Sequence, residues 1–263
     1  VLVHNGNLVN TVDLRSELYK EDKRHVNTQS DTEVLINIFA SAIENNLDGK
    51  LDDKCIVKAV SEVHNRVVGA YSVIAIMLGY GMIAFRDPNG IRPLIMGRKD
   101  NGTCMIASES VSLECLGYKV DRDIDPGETV VIKNNGDINS YMFDGDSKRT
   151  PCIFEYVYLA RPDSTIEEIN VYESRLSMGR YLAQKIKNTL SKEELDEIDV
   201  VIPIPDTSKT STVPLSLELG KELKEGFVKN RYIGRTFIMP GQKIRKKSVR
   251  QKLNTIDIEF SGK

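Results

Sequence analysis

The strongest constraint on the fold is an apolar run at residues 200–204 that leads directly into Pro205-Asp206-Thr207-Ser208. Such an uninterrupted run is typical of a parallel strand that is buried on both faces. In sheets of this kind, ligands bind where the carboxyl ends of the strands meet the following helices. The side chains of Asp206, Thr207 and Ser208 therefore form a candidate ligand site. The alternative, judged from these residues alone, is a helix N-cap made by the hydroxyl groups.

The rest of the second half alternates strands and helices around this segment. We predict strands at residues 154–159, 200–204 and 226–228, and helices at 177–190 and 213–224. This alternation favours an α/β fold with a parallel sheet.

The first half follows a different pattern. Ser30 and Glu33 form a capping-box pair, and apolar residues at helical spacing predict a helix over 31–45 and a second one around 55–63. Strands are expected at 70–78 and 82–85, and a hairpin at 129–142 turns at Asn135-Gly136. This half is predicted to be mostly antiparallel α+β. The polar, turn-rich residues 143–150 mark the boundary, which gives domains at 1–148 and 149–263.

Composition limits the classes of partner. The formal net charge of −2 provides no general attraction to nucleic acid or to an anionic membrane. Cys55, Cys104, Cys115 and Cys152 are too widely spaced for a disulfide framework, which favours reduced thiols in a cytoplasmic protein. The sequence contains no apolar run of about 18 residues that would predict a membrane span.

Several longer motifs follow one another along the chain in an order that is typical of a single protein family. They are His4-Asn5-Gly6-Asn7-Leu8, Asn27-Thr28-Gln29-Ser30-Asp31-Thr32-Glu33, Phe85-Arg86-Asp87-Pro88-Asn89-Gly90-Ile91-Arg92-Pro93-Leu94, and the segments 154–164, 199–208 and 229–242. Together they resemble the amidophosphoribosyltransferase family, the glutamine-dependent phosphoribosyl pyrophosphate (PRPP) amidotransferases that begin purine biosynthesis.

The resemblance implies both a fold and a reaction. The expected fold is a truncated α+β N-terminal-nucleophile (Ntn) hydrolase glutaminase domain followed by a partial α/β type I phosphoribosyltransferase domain. The first domain would hydrolyse glutamine to glutamate and ammonia, and in the second ammonia would displace diphosphate from PRPP to give 5-phosphoribosylamine.

The resemblance also implies that the chain is incomplete. Family members carry a cysteine nucleophile before the His-Asn-Gly-Asn motif and a PRPP-binding Asp-Asp-Ser loop beyond the position of Lys263. We therefore expect an internal fragment that lacks both ends and is inactive with glutamine.

The first domain contains the candidate glutamine site. Asn5 and Gly6 would stabilise the tetrahedral oxyanion, although Asn-Gly pairs on their own are more typical of tight turns. Asp31 would bind the α-amino group of glutamine, while the simpler interpretation is a favourable interaction with the helix dipole.

The second domain contains the candidate PRPP site. The resemblance implies that Asp206, Thr207 and Ser208 contact the pyrophosphate, with Thr207 near Mg²⁺. It also implies a mobile loop over residues 232–254 in which Arg235, Lys246 and Arg250 contact anions. A solvated basic helix face is the alternative, and a nucleic-acid patch is disfavoured because aromatic side chains for stacking are missing.

Other expected partners follow from the resemblance alone. Some members carry a [4Fe-4S] cluster with a cysteine near Cys152, but one cysteine cannot hold a cluster, so a structural thiol is favoured. Purine nucleotides are expected as feedback inhibitors, and the intact protein as a homo-oligomer, either a tetramer or a dimer. The rival hypotheses are another Ntn glutamine amidotransferase and a non-catalytic fragment that binds nucleotide or PRPP.

Overall fold

The computed structural model describes residues 1–234 and 241–262. These residues divide into two compact units, one made of Val1–Glu155 with Ser164–Glu168, and the other of Tyr156–Asp163 with the chain from Ile169 onward. The assignment of a glutaminase domain to 1–148 and a phosphoribosyltransferase domain to 149–263 stays a prediction.

The first unit is built on antiparallel strands. A five-stranded sheet has the order β1-β2-β3-β7-β8, and a three-stranded sheet has the order β5-β4-β6. The strands are β1 (Leu2–Leu8), β2 (Gly69–Met77), β3 (Gly81–Arg86), β4 (Ile95–Arg98), β5 (Cys104–Ala107), β6 (Lys119–Asp123), β7 (Glu128–Lys133), β8 (Ile138–Met142) and the short β9 (Thr165–Ile166). The predicted hairpin is confirmed, since β7 pairs with β8 in antiparallel register.

Four helices belong to this unit: α1 (Thr11–Lys20), α2 (Asp31–Asn46), α3 (Asp53–Arg66) and α4 (Ser110–Glu114). The two helices predicted from apolar spacing are confirmed as α2 and α3. The predicted capping box is wrong, because in the described residues Ser30 makes no side-chain capping bond. Glu33 instead accepts hydrogen bonds from the backbone amides of Asn27 (2.8 Å) and Thr28 (2.7 Å), and so fastens the preceding loop to the helix.

The five-stranded sheet is covered on both faces. Successive residues of a strand point to opposite faces, so Ile83 and Phe85 of β3 join the core formed with α2 and α3. Ala84 points the other way and joins a smaller core that includes Leu94, Met96 and Ile106, next to the three-stranded sheet. The first unit is therefore a layered α+β structure, which agrees with the antiparallel pattern of the sequence.

The second unit contains the longest helix of the described residues. Its elements are β10 (Ile169–Asn170), α5 (Val171–Thr189), α6 (Lys192–Asp196), β11 (Val200–Val201), α7 (Ser208–Leu219), β12 (Glu222–Leu223), β13 (Phe227–Lys229), α8 (Gln242–Lys252), β14 (Leu253–Thr255) and a 3₁₀ turn at Asp257–Glu259. Strand β11 pairs with β12 in parallel, as expected for α/β sequence, but β13 pairs with β14 in antiparallel register.

Four predicted elements of this half need correction. The helix expected at 177–190 begins earlier, at Val171. The strand expected at 154–159 is wrong, because Glu155–Leu159 forms a π-helical turn. The buried guanidinium of Arg175 donates to the carbonyls of Tyr156 (2.6 Å) and Ala160 (2.8 Å), and this replaces a strand ladder. The strand expected at 200–204 is limited to Val200–Val201, and the helix expected at 213–224 begins at Ser208 and ends before Gly220, which takes the left-handed conformation.

Helices α5 and α7 cross at Gly179. A Cβ atom added there would lie 2.0 Å from the carbonyl oxygen of Ser211 and 2.7 Å from Cγ of Pro214. The buried residues of α5 recur every four positions, at Val171, Arg175, Gly179 and Ala183, so the glycine lies within the contact stripe. Only a hydrogen at this position permits the observed separation of the two helices.

His64 of α3 lies in an aromatic part of the first unit's core. Its Nδ1 is 2.8 Å from the hydroxyl of Tyr71, and its ring lies 5.9 Å from that of Phe85 and 5.0 Å from that of Phe143. Burial lowers the pKa of His64 from 6.5 to about 4. The neutral ring is therefore the form that the core accommodates.

Gly179→Ala should destabilise the chain by roughly 1–3 kcal/mol, because the added methyl group must separate α5 from α7. Urea unfolding followed by circular dichroism measures the effect. Gly234→Ala is the control, since among the described residues a Cβ atom there meets nothing within 4 Å and cannot disturb a helix crossing. Equal stabilities of the two variants would contradict the close helix crossing.

His64→Gln should reduce the dependence of stability on pH. The folded pKa lies below the unfolded one, so the stabilising contribution is complete above pH 6.5 and is lost as pH falls from 6.5 towards 4. The unsubstituted chain should lose on the order of 3 kcal/mol more than the variant between pH 7 and pH 4. Urea unfolding at both pH values measures this, and the exposed His25→Gln is the control. Parallel pH profiles for all three proteins would show that the His64 ring already tolerates a proton.

Candidate active site

Gly6 lies where β1 approaches β2 closely. The backbone at Gly6 has φ of 149°, and an added Cβ atom would lie 1.9 Å from the carbonyl oxygen of Ala70. Glycine is therefore required at this position by the backbone alone. The tight-turn interpretation of Asn5-Gly6 is wrong, because both residues belong to strand β1, at the edge of the five-stranded sheet.

The side chain of Asn5 is held at both ends of its amide. Its Nδ2 donates to Oγ of Ser108 at 3.1 Å, and its Oδ1 accepts from Nη2 of Arg92 at 2.8 Å. Ser108 directly follows β5, and Arg92 belongs to the connection between β3 and β4. Two distant segments of the first unit therefore meet at one residue of β1.

The connection that carries Arg92 is shaped by the buried carboxylate of Asp87. This group accepts hydrogen bonds from the backbone amides of Tyr71 (3.2 Å), Asn89 (3.0 Å), Ile91 (3.1 Å) and Arg92 (3.5 Å). Burial raises the pKa of Asp87, although the backbone amides oppose the shift. The residue thus closes the turn that begins at Asp87.

Arg86 anchors the same turn from inside the unit. Its guanidinium is 1% exposed and donates to the carbonyls of Arg92 (2.7 Å), Gly90 (2.7 Å) and Ile124 (2.8 Å), and it forms an ion pair of 2.6 Å with Glu167. A buried charge is tolerated only when it is paired and hydrogen bonded, and Arg86 satisfies both conditions.

Arg92 also forms an ion pair, with Glu155. The carboxylate is 4% exposed and the guanidinium 18% exposed. Burial raises the pKa of Glu155, and the charge of Arg92 opposes that shift. One guanidinium therefore joins the Asn5 amide to a buried carboxylate.

Asp31 lies beside the same strand. It is the first residue of α2, and its Oδ2 is 3.4 Å from the amide of Leu8 while its Oδ1 is 3.8 Å from Nδ1 of His4. Burial lowers the pKa of His4 despite the opposing charge of Asp31, so the imidazole is neutral near pH 7. Asp31 thus lies beside β1, the strand that contains Asn5 and Gly6. Its carboxylate also lies at the N-terminus of α2, where the helix dipole favours a negative charge.

The second unit places Asp206, Thr207 and Ser208 at the start of α7. Within the described chain, Thr207 occupies the N-cap position without a side-chain capping bond, so the capping interpretation is not supported. Ser208 donates its hydroxyl to the carbonyl of Ile204, and Asp206 forms an ion pair of 2.7 Å with Lys229. The hydrogen bond from Lys229 lowers the pKa of Asp206.

The basic segment is helical in its described part. Lys246 and Arg250 are exposed on α8, which fits the basic helix face considered as an alternative. Arg235 lies outside the described residues. The closure of this segment over a ligand stays a prediction.

Residues 1–234 and 241–262 contain neither a cluster of candidate metal ligands nor a candidate membrane span. That part of the chain contains no group of three or more His, Cys, Asp or Glu side chains that could hold a metal ion. Cys152 is half-buried and, like the other three cysteines, a free thiol. No helix in the same residues is long and apolar enough to cross a membrane.

Sequence reasoning missed four residues of the first site: His4, Arg92, Ser108 and Glu155. Arg92 lies within the motif at residues 85–94. The signal that could have identified it is a charged residue beside a turn and between apolar strands. Ser108 and Glu155 are 103 and 63 residues from the residues they contact, Asn5 and Arg92. No local pattern predicts such contacts.

Comparison with known proteins gives a consistent result. A family model described as a glutamine amidotransferase domain matches residues 1–115. Over its whole length the chain is 54% identical to an amidophosphoribosyltransferase of Pseudomonas aeruginosa, 49% to one of Escherichia coli and 45% to one of Saccharomyces cerevisiae, and covers 52% of each. The chain thus spans about half the length of the curated relatives it matches.

The solved structures agree. The glutamine PRPP amidotransferase of B. subtilis, complexed with ADP and GMP, matches 97% of the chain with 34% identity and a TM-score of 0.75, and 51% of that structure is covered. The likeness extends over both units, with the glutamine amidotransferase match confined to the first. Along its whole length, this chain is a homologue of the amidophosphoribosyltransferases.

Proposed function

We propose that this chain supplies residues to both sites of an amidophosphoribosyltransferase. The overall reaction converts glutamine, PRPP and water to 5-phosphoribosylamine, glutamate and diphosphate, in the first committed step of purine biosynthesis. The observation that carries the proposal is that Asp31 contacts Leu8 and His4 of strand β1, the strand that contains Asn5 and Gly6, in a chain that is 45–54% identical to named amidophosphoribosyltransferases. The fold proposed for the first unit is that of an Ntn hydrolase.

The glutaminase half-reaction requires stabilisation of negative charge. A cysteine thiolate, which is not one of this chain's four cysteines, attacks the side-chain carbonyl carbon of glutamine, and the carbonyl oxygen becomes an oxyanion. Asn5 Nδ2 and the amide of Gly6 are the proposed donors. Collapse of this intermediate releases ammonia, and water then hydrolyses the thioester to glutamate.

Asp31 is proposed to select free glutamine. Its side chain is 27% exposed, so the carboxylate is accessible while it remains beside β1. A carboxylate facing an ammonium group favours the charged α-amino group of free glutamine over the uncharged nitrogen of a peptide. The neutral state of His4 leaves the carboxylate charge available for this purpose.

The phosphoribosyl half-reaction is proposed for the second unit, as a type I phosphoribosyltransferase. Thr207 and Ser208 would bind pyrophosphate at the start of α7, where the helix dipole favours an anion, and Asp206 of the same loop would hold a magnesium-bound water. Hydroxyl and carboxylate oxygens are ligands that suit Mg²⁺, and Thr207 is its proposed contact. When bound, Mg²⁺ neutralises phosphate charge; Lys246 and Arg250 of α8, together with Arg235, would add cationic contacts.

Regulation and assembly are proposed from the relatives. The B. subtilis enzyme was solved with ADP and GMP, which supports purine nucleotides as feedback ligands here. A cytoplasmic homo-oligomer, tetramer or dimer, is the proposed setting. A [4Fe-4S] cluster through Cys152 is not proposed, because one cysteine cannot hold a cluster.

The test uses a full-length protein that contains this chain. It should form phosphoribosylamine from PRPP with either glutamine or ammonia, and Asp31→Asn should raise the KM for glutamine roughly 10- to 100-fold, since a charge-assisted hydrogen bond is lost. The ammonia-dependent rate should be unchanged, and Asp48→Asn, at an exposed acid outside the site, is the control. Steady-state kinetics with both nitrogen donors measure this. Loss of both activities in Asp31→Asn would contradict its role, and a parent protein without either activity would contradict the function.

A further inference from the structure

Arg92 links the proposed oxyanion site to a buried acid. One nitrogen of its guanidinium, Nη2, lies 2.8 Å from Oδ1 of Asn5, and the other, Nη1, pairs with Glu155. All three residues belong to the first unit. The arrangement matches the fork geometry of arginine, which presents donors in two directions from one rigid plane.

The chemistry of Arg92 determines which way the Asn5 amide faces. A guanidinium carries only donors, so the amide atom that faces it must be the oxygen. The nitrogen then faces Ser108, at 3.1 Å from Oγ. Because Nδ2 carries two protons, one serves Ser108 and the second is left to stabilise an oxyanion. A flipped amide would present an oxygen to the developing negative charge.

The backbone of Arg92 is fixed as firmly as its side chain. Its carbonyl accepts from Nε of Arg86 at 2.7 Å and from Oγ of Ser72 at 3.0 Å. Its amide faces the buried carboxylate of Asp87 at 3.5 Å. The guanidinium therefore reaches Asn5 from a rigid turn, which is the condition for preorganised electrostatic stabilisation.

We propose that Arg92 is a positioning residue for glutamine hydrolysis, which acts by holding the Asn5 amide with its nitrogen towards the oxyanion, and that Glu155 holds Arg92 in place. This inference rests on the proposed glutaminase function. It adds Arg92 and Glu155 to the residues on which the rate depends, although neither touches the reacting atoms.

The variant Arg92→Lys tests this role, because lysine keeps the charge but cannot hold two partners through a planar fork. In a full-length protein that contains this chain, the variant should lower kcat for glutamine hydrolysis roughly 10- to 100-fold. This fall is smaller than, or similar to, the fall in kcat when a whole oxyanion donor is removed. The KM for glutamine should stay within about twofold and the ammonia-dependent rate should not change. Arg98→Lys, on an exposed arginine paired with Asp121, is the control.

A double-mutant cycle with Asn5→Ala makes the test specific. If Arg92 acts through Asn5, Arg92→Lys should change kcat by less than about twofold once the Asn5 amide is gone. An equal loss of kcat with and without the Asn5 amide would overturn the proposal. A rise in the KM for glutamine with unchanged kcat would overturn it as well.

The test also distinguishes a variant that does not fold from a parent protein that does not hydrolyse glutamine. If Arg92→Lys loses ammonia-dependent activity and its native circular dichroism, Glu155→Gln replaces it in the same cycle, with a fall in kcat expected only when Asn5 is present. If the unsubstituted protein hydrolyses no glutamine, the proposed function fails. A protein that hydrolyses glutamine but gives an additive cycle refutes the role of Arg92 alone.

Discussion

The first unit depends most on the ion pair and hydrogen bonds of the buried Arg86 guanidinium. It is 1% exposed, yet its charge is paired with Glu167 and its remaining donors reach three backbone carbonyls. Removing the carboxylate of Glu167 would leave an uncompensated charge in the interior, at a cost of about 3–5 kcal/mol. Asp87 accepts hydrogen bonds from backbone amides of the same turn. Arg86 and Asp87 together make this turn, which is rich in Pro, Asn and Gly, a rigid support for Arg92.

That support connects the fold to the chemistry. The turn follows a central strand, whereas Asn5 and Gly6 lie on the edge strand β1, where backbone and side chain remain accessible. Gly6 satisfies the close approach of β1 to β2, and Arg92 orients the neighbouring amide. Asp31 reaches the same strand from the N-terminus of α2. The turn after β3 and the N-terminus of α2 thus each place a charged side chain beside strand β1.

Local patterns in the sequence predicted the elements whose stability is local. Helices α2 and α3 follow from apolar spacing, and the β7-β8 hairpin follows from Asn135-Gly136. The strand expected at 154–159 does not form because Arg175, from a later helix, binds the carbonyl of Tyr156 in that segment and the carbonyl of Ala160 just after it. The hydrogen bonds of the Asn5 side chain could not be predicted for a similar reason, because Arg92 lies 87 residues away from Asn5. The family resemblance suggested Asn5, Gly6 and Asp31, but only tertiary structure reveals what holds the Asn5 amide.

The central claim is that a rigid turn presents the Asn5 nitrogen to the oxyanion. The most direct measurement is a crystal structure of a full-length protein containing this chain, with a glutamine aldehyde analogue bound as a tetrahedral adduct. The account predicts the adduct oxygen about 2.7–3.1 Å from Asn5 Nδ2 and from the Gly6 amide, with Arg92 on the opposite side of the Asn5 amide. An adduct oxygen held by other donors, or Arg92 turned away from Asn5, would contradict it.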